Sequence, residues 1–134
     1  MNSIVLDSSA VLAMVQQESG GERIEALLDA VEEGADLRIA ISAVNWCEVL
    51  TRTQRDHLGM TPEKLSAVFA GVDLVFFGQK DAELAATYAR VNQALSLGDR
   101  ACLALAKARN ASVWTADRLW TQCKLDVAVE LIRS

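Results

Sequence analysis

Histidine is almost absent from this chain, with His57 alone, and its three cysteines, Cys47, Cys102 and Cys123, form no Cys-x-x-Cys pair. A structural zinc site needs nitrogen or sulfur ligands at close spacing, so none is expected. An odd number of cysteines cannot all pair, and Cys47 and Cys102 lie in apolar helical surroundings. Both read as small buried hydrophobes in a reduced, cytoplasmic protein. Basic residues are in deficit, 13 Lys and Arg against 18 Asp and Glu, for a net charge of −5. That sum runs against a typical nucleic-acid binder. An acidic total can nonetheless contain a concentrated acidic site that holds metal ions, so the placement of charge carries more information than its sum. No apolar run approaches the ~18 residues of a membrane span. The N-terminus has no basic lead and Asp7 interrupts its first apolar stretch, so no signal peptide is expected. What the chain does have is 134 residues, 51% of them apolar, which fits one domain over residues 1–134 with a core of its own.

Short apolar runs alternate with helical patterns. Ser3 to Leu6 reads as a strand stopped by Asp7, followed by a helix from about Ser9 to Gln17. Ser19-Gly20-Gly21-Glu22 fits a capping box opening a helix to about Glu33. Leu37 to Ile41 is strand-like, and Ser42 can cap a helix from about Ala43 to Leu58. Thr61-Pro62 marks another helix start, with proline at the first helical position. Val72 to Phe77 has the clearest buried-strand pattern. Helices are expected over about Lys80 to Leu95 and Asp99 to Arg109, with strands at Ser112 to Thr115 and Val127 to Leu131. This alternation predicts an α/β fold of three layers, with a central parallel sheet of about five strands covered by helices on both faces.

In such a sheet, functional groups collect beyond the carboxyl ends of the strands. Asp7 follows the first strand directly, and Asp117 lies two residues after the Ser112–Thr115 strand. Glu48 falls in the second turn of the helix after the second strand, and Asp99 opens the helix before the fourth. A helix returning across the sheet starts at the carboxyl edge, so the four acids can converge there. Asp7 and Glu48 also keep apolar company. A charge at the edge of a core costs several kcal/mol unless paired or metal-bound, yet no lysine or arginine lies within five residues of Asp7 and Glu48 has only Arg52 at i+4. Oxygen ligands without imidazole or thiolate select a hard ion, Mg²⁺ or Mn²⁺. Such ions on carboxylates can activate water and stabilise charge on a phosphodiester. Thr115 and Ser8 are candidates to orient the water or a phosphate oxygen, and helix starts at Ser9 and Asp99 add partial positive charge. Simpler roles stay open for each acid: Asp99 as the last member of a Ser96 capping box, Asp117 as a cap for the turn through Trp120, and Glu48 as an ion pair with Arg52.

Four segments, Val5-Leu6-Asp7-Ser8-Ser9-Ala10, Ser42-Ala43-Val44-Asn45-Trp46-Cys47-Glu48-Val49, Leu95-Ser96-Leu97-Gly98-Asp99 with the alanine-rich helix behind it, and Trp114-Thr115-Ala116-Asp117, together resemble the PIN-domain ribonucleases. Within that family the likeness is to the VapC toxins of toxin–antitoxin pairs, and it runs through essentially the whole chain in order. The resemblance implies a PIN-like fold and a Mg²⁺- or Mn²⁺-dependent endoribonuclease acting on RNA, dimeric, and silenced by a cognate VapB antitoxin. Carried over by position, Asp7, Glu48, Asp99 and Asp117 would be the metal-binding acids, with Thr115 and Ser8 as supporting hydroxyls. Trp46 and Cys47 depart from the small or β-branched residues commoner before that glutamate, which touches packing rather than chemistry.

Substrate affinity would have to come from local charge. Arg52 and Arg55 lie beyond Glu48, Arg100 follows Asp99 and Arg118 follows Asp117, positions from which they can hold phosphates on either side of the cut. A solvated face explains Arg55 equally well, and His57 reads as a surface residue. The apolar stripe of the first two helices, among it Val11, Val15, Ile24 and Leu28, fits either ordinary core or the antitoxin groove that the resemblance implies. Other phosphate-handling α/β domains fit less well. A receiver domain needs paired acids after the first strand and a lysine after the last, and a haloacid-dehalogenase-type phosphatase needs Asp-x-Asp where this chain has Asp7-Ser8-Ser9. A catalytically inert PIN-like binding module remains the non-enzymatic alternative; such domains usually lose one or more of the acids that this chain keeps.

Overall fold

Five short strands form one parallel sheet: β1 (Asn2–Leu6), β2 (Leu37–Ser42), β3 (Asp73–Val75), β4 (Ser112–Thr115) and β5 (Val129–Leu131), in the order β3-β2-β1-β4-β5. The computed structural model describes residues 2–134. The connecting helices are α1 (Ser8–Val15), α2 (Gly21–Glu32), α3 (Ala43–Arg55), α4 (Pro62–Val68), α5 (Gln79–Thr87) and α6 (Leu97–Arg109), with single 3₁₀ turns at Tyr88–Arg90 and Arg118–Gln122. The period of two along the central strands sorts the core into two halves. Ile4 and Leu6 of β1, with Ile39 and Ile41 of β2, face a cluster that includes Ile24 of α2, Val49 of α3 and Leu65 of α4. Val5, Ala40 and Val113 face the opposite way, toward Tyr88, Trp120 and the buried side of α6. Helices α1 to α4 therefore cover one face and α5 and α6 the other, giving the expected α/β/α sandwich. Residues 101–106 of α6 are all buried, and three of the six are alanine, which lets the helix lie deep between the sheet, α3 and α5.

Local signals behave as read at two helix starts. The Ser42 hydroxyl accepts from the Val44 N–H at 3.2 Å, and Thr61 accepts from Lys64 N–H with Pro62 at the first helical position. The Trp46 ring meets Phe69 edge-on, centroids 5.4 Å apart, so its bulk joins α3 to the end of α4.

Several expectations are corrected. The Val72–Phe77 run is not a buried strand: β3 covers three residues at the edge of the sheet, paired to β2 alone, with Leu74 55% and Phe76 81% exposed. The Ser19 capping box does not form. Gly20 in the left-handed region (φ 91) precedes α2 instead, with no side-chain cap. α3 ends at Arg55, where Asp56 caps it and His57 turns the chain at φ 51. α5 gives way to a 3₁₀ turn after Thr87 rather than running to Leu95, and β5 begins at Val129, not Val127. Cys102 is buried as expected, but Cys47 is exposed. The buried stripe of α3 is Asn45, Val49 and Thr53, spaced by four, and position 47 falls off it.

The glycine pair between α1 and α2 is set by contact. A Cβ on Gly21 would stand 2.5 Å from the Ala13 carbonyl oxygen, inside the backbone of α1, where no flexible side chain can yield. Gly21→Ala is expected to cost ~2 kcal/mol or more, lowering the thermal midpoint by several degrees. An unchanged midpoint would show that the two helices separate freely.

Candidate active site

The carboxyl edge of the sheet collects the four acids. Asp7 is the first residue after β1 and is only 2% exposed. Its Oδ2 accepts from the Ser9 hydroxyl at 2.6 Å and from the Thr115 hydroxyl at 2.8 Å, the two hydroxyl oxygens lying 3.1 Å apart. Those hydroxyls are themselves tied to the chain leaving β4: Ser9 Oγ accepts from Ala116 N–H and Thr115 Oγ1 from Asp117 N–H. Burial pushes the Asp7 carboxyl up to about 6, against the lowering effect of the two hydroxyls, and the nearby charges of Asp99 and Glu48 raise it further.

Glu48 sits on α3 with one oxygen captured. Its Oε1 accepts from Ser8 Oγ at 2.9 Å and from Asn45 Nδ2 at 3.1 Å. The carboxylate lies so close to the first turn of α6 that a Cβ on Gly98 would collide with it, and Glu48 would have to move aside. Asp99 opens α6 in a reciprocal capping box: its Oδ2 accepts from Ser96 N–H at 2.9 Å, and Ser96 Oγ accepts from Asp99 N–H at 3.1 Å. Its carboxyl is raised above the ordinary value, chiefly by burial and further by Asp117; the Ser96 bonds and the neighbouring Trp120 indole oppose the rise. The Trp120 N–H is buried and meets no acceptor at hydrogen-bonding geometry, so its influence on Asp99 is that of a nearby donor, not a formed bond. Asp117 caps the 3₁₀ turn, its Oδ1 accepting from Leu119 N–H at 2.9 Å.

A common pattern joins these groups. Each acid has one oxygen anchored by donors of the chain, Asp7 Oδ2, Glu48 Oε1, Asp99 Oδ2 and Asp117 Oδ1, while among the described residues the second oxygen of each has no hydrogen bond. Nor does any lysine, arginine or histidine pair with these four acids among the described residues. The simpler roles of Asp99 and Asp117 as caps are real, but each occupies a single oxygen. As they stand, no three Asp, Glu, His or Cys side chains among the described residues are gathered closely enough to hold a metal ion. Like charges without a cation between them repel, and the free oxygens would have to turn inward to share one.

Ser8 and Thr115 both reach the acids, Ser8 through Glu48 and Thr115 through Asp7. The Glu48–Arg52 ion pair does not form. Arg52 turns to Asp56 at 2.8 Å, and Arg55 binds the other oxygen of Asp56 at 3.0 Å, so Asp56 holds both guanidinium groups. Arg100, half-buried, and Arg118, exposed, make no ion pair among the described residues. Two participants escaped the sequence reading. As a sequence signal Ser9 marks only a helix start, although its place two residues after Asp7 suits a side-chain bond back to that carboxylate. Asn45 carries no catalytic signal of its own in the sequence beyond preceding Glu48 by one helical turn.

A doubly wound parallel sheet with carboxylates at its carboxyl edge defines the class, and sequence comparison names the family. The PIN domain model matches residues 4–124. The chain belongs to the PIN domain family, a family of nucleases. No curated protein matches it in sequence. Solved structures share the fold at low identity. VapBC2 from Rickettsia felis, bound to a DNA fragment from its promoter, superposes with a TM-score of 0.71 at 15% identity, covering 96% of this chain and 98% of that one. VapBC-1 from nontypeable Haemophilus influenzae gives 0.65 at 15% identity, with 97% and 98% covered. FitAcB from Neisseria gonorrhoeae gives 0.58 at 23% identity, with 94% and 95% covered.

The buried Asp7 carboxyl has a thermodynamic signature. An unfolded aspartate ionises near ~3.9, whereas the folded one holds its proton to about 6. Between those values the folded state binds more protons, so stability falls as pH rises through the window and is flat above it. Asp7→Asn, in chelator, is therefore expected to raise the thermal midpoint at pH 8 by the equivalent of ~1–3 kcal/mol and to change it little at pH 4. A lower midpoint at pH 8 would contradict the burial of an uncompensated charge.

Proposed function

We propose that this chain is a divalent-metal-dependent endoribonuclease, the toxin half of a VapBC-type toxin–antitoxin pair, with residues 1–134 as one catalytic domain. The observation that carries the reading is the shared state of Asp7, Glu48, Asp99 and Asp117: one oxygen anchored, the other free, and no cationic side chain in attendance. The donor set fits the ion, since carboxylate oxygens without imidazole or thiolate suit Mg²⁺ or Mn²⁺. These four residues would hold it. When bound, the metal supplies a Lewis acid that lowers the pKa of water and offsets charge on a phosphodiester.

The remaining work falls to the chain itself. Ser9 and Thr115 fix the Asp7 carboxylate from one side, so its orientation is set before substrate arrives. Ser8 fixes Glu48 in the same way. The first turns of α1 and α6 direct peptide N–H dipoles toward the carboxyl edge, favourable to a phosphate there. Arg100 and Arg118 flank the acids and are free to hold phosphates of the RNA; Arg52 is engaged by Asp56 through Nε and lines the cleft beside Glu48.

The antitoxin reading has its own support. Between α1, α2 and α4 runs a groove with Met14, Val15, Leu28 and Met60 in its lining and Glu25, Asp29 and Glu32 on its rim. An apolar lining under an acidic rim suits a basic amphipathic segment. Among the chains of similar fold are several from toxin–antitoxin complexes. A homodimer acting in the cytoplasm completes the proposal. No helix among the described residues is long and apolar enough to cross a membrane. The spacing of the acids in this structure is what favours the other reading, an inert binding module.

Purified antitoxin-free protein, incubated with total RNA and Mg²⁺ or Mn²⁺, is expected to give discrete products that disappear with EDTA and with Asp99→Asn. No products in either metal, with no ion bound in calorimetry, would establish the inert module. Charge reversal at Arg100 and Arg118 together is expected to weaken RNA binding about uniformly across sequences and to reduce the salt slope by ~2. Unchanged affinity would remove both residues from the substrate path.

A further inference from the structure

Asn45 is a polar residue in a place where an apolar one would pack without penalty. It lies on the buried stripe of α3 with Val49 and Thr53 and is 0% exposed. Its amide nitrogen donates twice, to Glu48 Oε1 at 3.1 Å and to the Gly98 carbonyl at 3.0 Å. Both partners are acceptors only, so the nitrogen must face them and the orientation of the amide is fixed. The consequence is that Asn45 Oδ1 is buried with no donor, which leaves its desolvation uncompensated. Packing does not explain a side chain kept at that cost. What the two bonds achieve is a joint between helices: Glu48 belongs to α3, and Gly98 belongs to α6 directly before Asp99.

We propose that Asn45 is a positioning residue that sets Glu48 relative to Asp99, fixing Glu48 Oε1 so that Oε2 is the oxygen presented for ligation. The inference rests on the metal-nuclease reading above. Three features of the joint reinforce one another. The Asn45 amide and the Ser8 hydroxyl both bind Oε1 and leave Oε2 free. The bare Cα of Gly98 lets the carboxylate approach α6, since any side chain there would run into it. The Gly98 carbonyl then ties the same amide to the backbone that carries Asp99. One side chain thus holds two acids from separate helices in register. Partners that orient metal ligands in this way typically change metal affinity ~10–100-fold when removed.

The test is Mn²⁺ binding by calorimetry, with thermal midpoints in chelator alongside. Asn45→Leu keeps the branching of the side chain, at somewhat larger volume, and removes both the donors and the orphaned acceptor. It is expected to keep a midpoint within a few degrees of wild type while weakening Mn²⁺ binding ~10-fold or more. Gly98→Ala, which displaces the Glu48 carboxylate from the other side, is expected to weaken binding similarly. In a Glu48→Gln background, Asn45→Leu should add little, because the residue acts through Glu48. A purely structural role predicts a lower midpoint with unaltered affinity in the folded fraction, and that result overturns the proposal, as does full additivity with Glu48→Gln. Should the leucine variant fail to fold, Asn45→Ser, smaller and without the amide, carries the same comparison. Wild type that takes up no Mn²⁺ overturns the metal reading itself and this role with it, whereas wild-type binding that Asn45→Leu leaves intact overturns this role alone.

Discussion

A single buried carboxylate, Asp7 at the end of the central strand, organises the carboxyl edge of this protein. It joins three segments: its own chain after β1, Ser9 in α1, and Thr115 at the end of β4. The hydroxyls that hold it also receive the backbone N–H groups of Ala116 and Asp117, so the loop carrying Asp117 is indexed to the same carboxylate. Burial disfavours its charge, and the neighbouring acids disfavour it further. A fold that places three more carboxylates around such a group, and none of its lysines or arginines against them among the described residues, holds a stability cost at the site of its chemistry.

The three-layer architecture makes that arrangement possible. Parallel strands with helices on both faces bring every strand end and every returning helix start to one edge. Asp7 and Asp117 come from strand ends, Glu48 from the second turn of α3 and Asp99 from the first turn of α6. Because α3 lies on one face of the sheet and α6 on the other, Glu48 and Asp99 approach from opposite layers. Gly98 and the buried alanines of α6 allow the approach to be close.

How much of this was legible in the sequence depended on whether a signal was local. Ser42 and Thr61-Pro62 act through bonds within a few residues, and both helix starts stand where they were read. The four acids could be placed at one edge because alternation of strand and helix dictates direction. The Val72–Phe77 run was misread because its apolar pattern does not reveal whether a strand lies at the centre or the edge of a sheet; that follows from pairing with residues far away in sequence. Arg52 has an acid four residues away on either side, Glu48 and Asp56, and helix rules favour the acid on the N-terminal side. The structure pairs Arg52 with Asp56, while Glu48 turns to Ser8 and Asn45, one of them forty residues away. Ser9 and Asn45 each bond an acid close by in sequence, to Asp7 and Glu48, but their second partners, at Thr115 and Ala116 and at Gly98, are set by tertiary packing that local spacing does not reveal.

The central claim is that the free oxygens of the four acids share a cation. Crystals grown with saturating Mn²⁺ and measured at the manganese absorption edge test it most directly. The account predicts an anomalous peak at the carboxyl edge of the sheet, in the midst of Asp7, Glu48, Asp99 and Asp117. A peak elsewhere, or none at this edge, would contradict it.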